Sequence, residues 1–174
     1  MLASLDCVIN FVEDAHKNQF RKYSSDPYHI HCFNVANIIS GVTDDIEMIY
    51  SALLHDTIED SHVTYGLLSK TFNQNIAKIV RGLTDFDCRL ERSKYNRKER
   101  LSYYNDKLSR CDEKVHTIKI ADIIDNLKDI EEQDPKFAKI YFAEKKIQLS
   151  VLTKGNELLY KKCKEIIDDY FKRI

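Results

Sequence analysis

The stretch SALLHDTIEDSH, residues 51–62, sets two histidines, three acids and a threonine against a short apolar run. Read as a helix, it places residues four apart on one face, so His55 lies under Glu59 and Asp56 under Asp60. Ala52, Leu53 and Leu54 supply the buried anchor one turn earlier. The face then passes directly from core into a polar pocket, the arrangement of a site rather than of a solvated surface.

Working outward, residues 4–20 carry apolar side chains at helical spacing through Leu5, Val8, Ile9, Phe11, Val12 and Ala15. RKYSSDPYH breaks that pattern. Phe33 to Ile39 resumes it as far as Gly41, and the acids of TDD at 43–45 offer a cap for the helix that leads to the acidic cluster. His31 thus starts one helix and His55 ends the next. On the far side, Ser61 or Thr64 can cap a short segment through Phe72, and Gln74 to Leu83 reads as a buried helix ended near Gly82. RLERSKYNRKERLSYYNDKLSR (89–110) is rich in Arg, Lys and Tyr, which fits either a solvated helix or a ligand-facing one. KVHTIKIADIIDNLKDI (114–130) is dense enough in aliphatics for a central helix, with Asp122 embedded in it. Asp134-Pro135 stops it, and two amphipathic helices, 136–152 and 156–172, finish the chain. With only 4 glycines and 2 prolines, hairpins have few turns to use, so the expected class is all-α.

At 174 residues the chain fits a single domain, taken as 1–174. Lys+Arg 27 against Asp+Glu 28 gives a net charge of −1, so no general basic field recruits a nucleic-acid polymer. Any polyanion must be met locally. Cys7, Cys32, Cys88, Cys111 and Cys163 are odd in number and contain no CxxC pair, which argues against a disulfide framework or a thiolate zinc site and for a reducing, cytoplasmic setting. MLASLDCVINFVEDAHK has early acids and no long apolar run, so neither a signal peptide nor a membrane span is expected there. The absence of GxxxxGK[ST] and GxGxxG removes the simplest kinase and dehydrogenase readings.

An isolated His-Asp dipeptide carries little weight; its context carries more. His31, His55, Asp56 and Asp122 together make a mixed nitrogen and oxygen donor set suited to Mn²⁺, Fe²⁺ or Zn²⁺ with positions left for water. The bland alternative has Asp122 capping a helix or pairing with a buried lysine, and His55 satisfying a backbone carbonyl. Glu59 and Asp60, one turn on, are placed to orient or deprotonate an attacking water, or else form a solvated helix end.

These residues resemble the HD-domain phosphohydrolases, and within them the hydrolase half of RelA/SpoT proteins and the stand-alone small alarmone hydrolases of the metazoan SpoT-homologue type. AHKNQFRK (15–22) is similar to the family's entry motif, DPYHIHCFNVANII (26–39) to its PY…HP…VA segment and SALLHDTIEDS (51–61) to its ALLHDxxED signature. VRGLTDF (80–86) and TIKIADIIDNLKDI (117–130) match its V-x-x-x-T-D turn and IKLADxxxNL helix. The resemblance implies His31, His55, Asp56 and Asp122 as ligands of one divalent ion, with Mn²⁺ the family's precedent, and Glu59 and Asp60 as the pair that activates water. It implies Arg21, Lys22, Tyr28 and Asn126 as substrate contacts. NRKER (96–100) is similar to a motif of related single-domain proteins, so Arg97, Lys98 and Arg100 are expected to neutralise a pyrophosphate or to form an exposed charged face.

The reaction so implied is hydrolysis of the 3′-pyrophosphate of (p)ppGpp to GDP or GTP and pyrophosphate. The alternatives are another nucleotide, a dNTP or a phosphorylated dinucleotide, and a nucleotide sensor without turnover. The expected partner is a small nucleotide, with no membrane, and a homo-oligomer is left open. His16 is expected to be structural, and His29, His62 and His116 to lie at the surface or just behind the ligands; His29 is the rival to His31. Departures from the family pattern fall at Cys32, where proline is usual, at Asp125 and in a short loop between Lys22 and Pro27. With Tyr23, Ser24 and Ser25, Asp125 is expected to reshape the base pocket.

Overall fold

A computed structural model describes residues 2–85 and 95–174, which fall into two compact units, Met1–Lys94 and Tyr95–Ile174. Both are helical. Among the described residues no strand forms, only one isolated antiparallel bridge between Phe20 and Pro27. The first residues of the Arg/Lys-rich stretch, the end of VRGLTDF and Cys88 lie outside the described residues.

In the N-terminal unit, α1 (Leu5–Ala15) starts where the Ser4 hydroxyl accepts from the Cys7 amide, and it buries Val8, Val12 and Ala15. The helical pattern expected over 4–20 ends at Ala15, because Asn18 turns the chain into the left-handed region at φ 66°. Helices α2 (His29–Ser40) and α3 (Ile46–Leu53) pack on each other; Asp45 caps α3 by accepting from the Glu47 and Met48 amides. After α4 (Thr57–Asp60) come α5 (Tyr65–Thr71), capped by Thr64, and α6 (Gln74–Leu83), capped by Asn73. Helix α6 packs on α3 and α5, burying Ile76, Ala77, Ile79, Val80 and Leu83.

Residues 51–62 are not one helix, and this corrects the expectation of His55 under Glu59. Helix α3 stops at Leu53, and α4 begins anew at Thr57. The physical reason is that side chains take over the last carbonyls: His55 Nδ1 donates to Ala52 O at 2.8 Å and Thr57 Oγ1 to Leu54 O at 2.7 Å. The histidine and the acid pair therefore sit on separate turns.

In the C-terminal unit, α7 (Arg97–Ser109) opens with a capping box between Asn96 and Glu99. Helix α8 (Glu113–Gln133) is the central one: Ile118, Ile120, Ala121, Ile123 and Ile124 are buried, and α9 (Pro135–Val151) and α10 (Glu157–Arg173) pack on it. Asp134 caps α9 with Pro135 at its first position. Phe142 of α9 stacks on Tyr170 of α10, with centroids 3.8 Å apart.

His116 departs from expectation: it is fully buried. Its Nε2 donates to Leu108 O at 2.8 Å and its Nδ1 accepts from the Lys154 amide at 3.1 Å, so one imidazole ties α7 to the α9–α10 connection. Among the described residues no helix is long and apolar enough to cross a membrane.

Candidate metal centre and active site

The N-terminal unit gathers three of the nominated ligands. His31 lies in the first turn of α2, His55 just past α3 and Asp56 at the start of α4; both imidazoles are about 1% exposed. Asp56 Oδ2 is 3.1 Å from His55 Nε2 and 3.7 Å from His31 Nε2, and the two rings meet edge to face at 5.1 Å. The carbonyl bond of His55 consumes Nδ1 and fixes the tautomer that directs the Nε2 lone pair toward Asp56. Both the bland role and the ligand role are thus compatible in one side chain.

Tyr28 adds a hydrogen bond that the sequence reading gave to the nucleotide. Its hydroxyl donates to Asp56 Oδ2 at 2.7 Å, while its ring rests against His16 and His31. Burial, then the charges of Asp56 and Asp60, push the phenol well above its usual range, so it stays a donor. Cys32 also points its chemistry here: donor atoms of Cys32, His55 and Asp56 lie within 4.8 Å of one another. Buried, fixed imidazole nitrogens beside a carboxylate fit a divalent transition metal.

Glu59 and Asp60 follow on α4 and line an open depression with Gln19 and His62. Glu59 Oε2 accepts the Asp85 amide at 2.8 Å; Asp60 is exposed, and its backbone carbonyl accepts from Gln19 Nε2 at 2.6 Å. Gln19 is itself oriented by His16, whose Nδ1 is 2.9 Å from Gln19 Oε1. The sequence reading passed over Gln19, although the spacing of three between His16 and Gln19 was the available signal.

Arg21 and Lys22 sit in the loop closed by Arg21 N to Asp26 O (2.8 Å) and Tyr28 N to Gln19 O (2.9 Å), with Ser25 at φ 60°. Lys22 Nζ donates to Tyr23 Oη at 2.8 Å. His29 is half-buried against Phe33, 5.2 Å between rings, and His62 is exposed.

The C-terminal unit holds the remaining nominated residues. Asp122, 4% exposed, accepts from Lys119 Nζ at 2.7 Å and from Asn126 Nδ2 at 2.6 Å. The lysine partner weighed for it is Lys119, which is half-buried rather than buried. Asp125 is buried and paired with Lys128 at 3.0 Å. In the first turn of α7, Arg97 makes two hydrogen bonds of 2.7 Å to Glu144, which hold its guanidinium above its ordinary range, and Arg100 donates to Tyr95 O at 2.7 Å; Lys98 is exposed.

Buried imidazoles with a His-Asp pair at a helix break define a class, and the sequence comparison agrees: the chain belongs to the HD domain family, which matches residues 9–148. It is 34% identical over 131 residues to the guanosine-3′,5′-bis(diphosphate) 3′-pyrophosphohydrolase MESH1 of Danio rerio, a match covering 74% of this chain and 69% of that protein. To the guanosine-3′,5′-bis(diphosphate) 3′-pyrophosphohydrolase of Aquifex aeolicus (strain VF5) it is 35% identical over 134 residues, 74% of this chain but 18% of that longer relative. A solved structure described as a metazoan orthologue of SpoT that hydrolyses ppGpp and plays a role in starvation responses superposes with a TM-score of 0.84 at 25% identity, covering 98% of each chain.

Proposed function

We propose that this protein is a metal-dependent hydrolase that removes the 3′-pyrophosphate of (p)ppGpp, giving GDP or GTP and pyrophosphate. One observation carries the reading: the His31, His55 and Asp56 donors converge in the N-terminal unit of a chain that is 34% identical over 131 residues to a protein named for that activity. Asp122 is assigned as the fourth ligand on its motif, and the whole of 1–174 as one HD domain. A divalent cation held by these residues supplies Lewis acidity toward a phosphoryl oxygen and a more acidic water. Mn²⁺ is the metal we assign, with Fe²⁺ or Zn²⁺ as substitutes suited to the same donors.

The chain's own groups do the rest. Glu59 and Asp60, beside an open depression, take the proton of the attacking water, and Gln19 fixes the backbone from which Asp60 projects. Arg21, Lys22, Arg97, Lys98 and Arg100 offset substrate charge locally, Asn126 lines the pocket, and Tyr28 acts through Asp56. We place the enzyme in the cytoplasm, acting on a small nucleotide and on no nucleic-acid polymer.

The test is product analysis after incubating metal-stripped protein, with and without Mn²⁺, with ppGpp and a nucleotide panel. Mn²⁺-dependent GDP and pyrophosphate are expected. Cleavage of a dNTP or dinucleotide instead moves the substrate within the same fold, and tight binding without product makes the chain a sensor.

A further inference from the structure

The C-terminal unit holds a half-buried lysine ammonium to which the proposed reaction gives no task. Lys145, on α9, directs Nζ to Gln148 Oε1 at 2.9 Å and over the Tyr141 ring at 5.0 Å from its centroid. Both partners are neutral. Gln148 is 0% exposed, and its Nε2 donates to Asn105 Oδ1 at 3.2 Å, which keeps its carbonyl turned toward the lysine. This is a built acceptor, not a chance contact.

A buried charge ordinarily has a counter-charge. The charged groups acting on Lys145 are Lys119, Asp122, Glu144 and Arg97. Of the two acids, Asp122 is held by Lys119 and Asn126, and Glu144 by both hydrogen bonds of Arg97. Three cations, Lys119, Lys145 and Arg97, thus share two carboxylates that already have cationic partners. Burial first, and Lys119 second, pull the Lys145 ammonium down to about 8, so it remains mostly charged at neutral pH and lacks an anion.

We infer that Lys145, with Lys119 beside it, binds phosphoryl oxygens of the substrate's diphosphate group. The identity of the ligand rests on the hydrolase reading; the site itself rests on the C-terminal unit alone. Neither Lys119 nor Lys145 was singled out from the sequence, because a lysine on an amphipathic helix reads as a solvated face.

The probe is inorganic pyrophosphate, titrated into the full chain in excess chelator and followed by calorimetry. Lys145→Met is expected to weaken binding about tenfold or more, the loss of one charge-assisted hydrogen bond, whereas Lys145→Arg retains most of it. In the wild-type chain, pyrophosphate should protect Lys145 from acetylation by acetic anhydride, read by mass spectrometry, which keeps the test free of any folding defect in the variants. No pyrophosphate binding by the wild type, equal binding by Lys145→Met, or unprotected Lys145 each overturns the inference. Because no turnover is needed, a chain that leaves ppGpp intact but shows the Lys145-dependent binding refutes the hydrolase reading and keeps the anion site.

Discussion

Tyr28 and Asp56, 28 positions apart in the chain, are joined by a 2.7 Å hydrogen bond in which the phenol donates and Oδ2 accepts. The same carboxylate oxygen faces both His31 and His55, so the tyrosine fixes an acid that both imidazoles face. Outer partners of this kind set ligand orientation as much as the ligands do.

Tyr28→Phe keeps the ring against His16 and His31 and removes only the hydroxyl. Metal affinity or ppGpp turnover is expected to fall about 10- to 100-fold with the melting temperature nearly unchanged. Metal titration alongside steady-state kinetics checks this; wild-type values for both would assign Tyr28 to packing alone.

His55→Ala and Glu59→Ala separate holding the metal from activating water. The first should lose metal, measured by elemental analysis after dialysis, and activity with it. The second should keep the metal while kcat drops by roughly 10² to 10⁴, the usual contribution of a positioned acid or base. Metal loss in both variants would place Glu59 among the ligands.

Gly155→Ala tests the C-terminal core. A Cβ there would press on Ile120 Cδ1 and come within 3.3 Å of the His116 backbone. Overpacking against a fully buried isoleucine should cost about 1–3 kcal/mol, seen as a lower denaturation midpoint with an unchanged slope.

Cys163 is fully buried on α10, and burial pushes its thiol up to about 12, whereas Cys7 is exposed. A raised folded pKa means that the native state holds the proton longer than the unfolded chain, so stability falls as pH rises from about 9 to 12. Chemical denaturation at pH 8, 9.5 and 11 should show that fall, smaller in Cys163→Ala. At pH 8 iodoacetamide should modify Cys7 and spare Cys163, whose thiolate fraction is about a thousandfold below that of an ordinary cysteine; equal labelling would sink the prediction.

Much of this protein was written in its helical periodicities. The caps at Asp45 and Thr64, the stop before Pro135 and the buried stripe of 114–130 follow from rules in which each residue meets neighbours three or four places away. Even Asp122's lysine partner is local, since Lys119 lies three residues before it. The break inside 51–62 was not legible. Its cause is a competition between side-chain and backbone donors for the carbonyls of Ala52 and Leu54, and helical spacing alone carries no sign of the outcome.

By itself, the sequence determined the all-α class, the order of the helices and the His-Asp motif, because local propensity and hydrophobic period act along the chain. Only the tertiary structure decided that Tyr28 donates to Asp56, that His116 is interior and bonded at both nitrogens, and that the half-buried Lys145 meets a fixed glutamine carbonyl. Each of those is a contact across distant positions. Burial and hydrogen bonding there depend on which helix faces pack together, a long-range outcome that no single window of residues encodes.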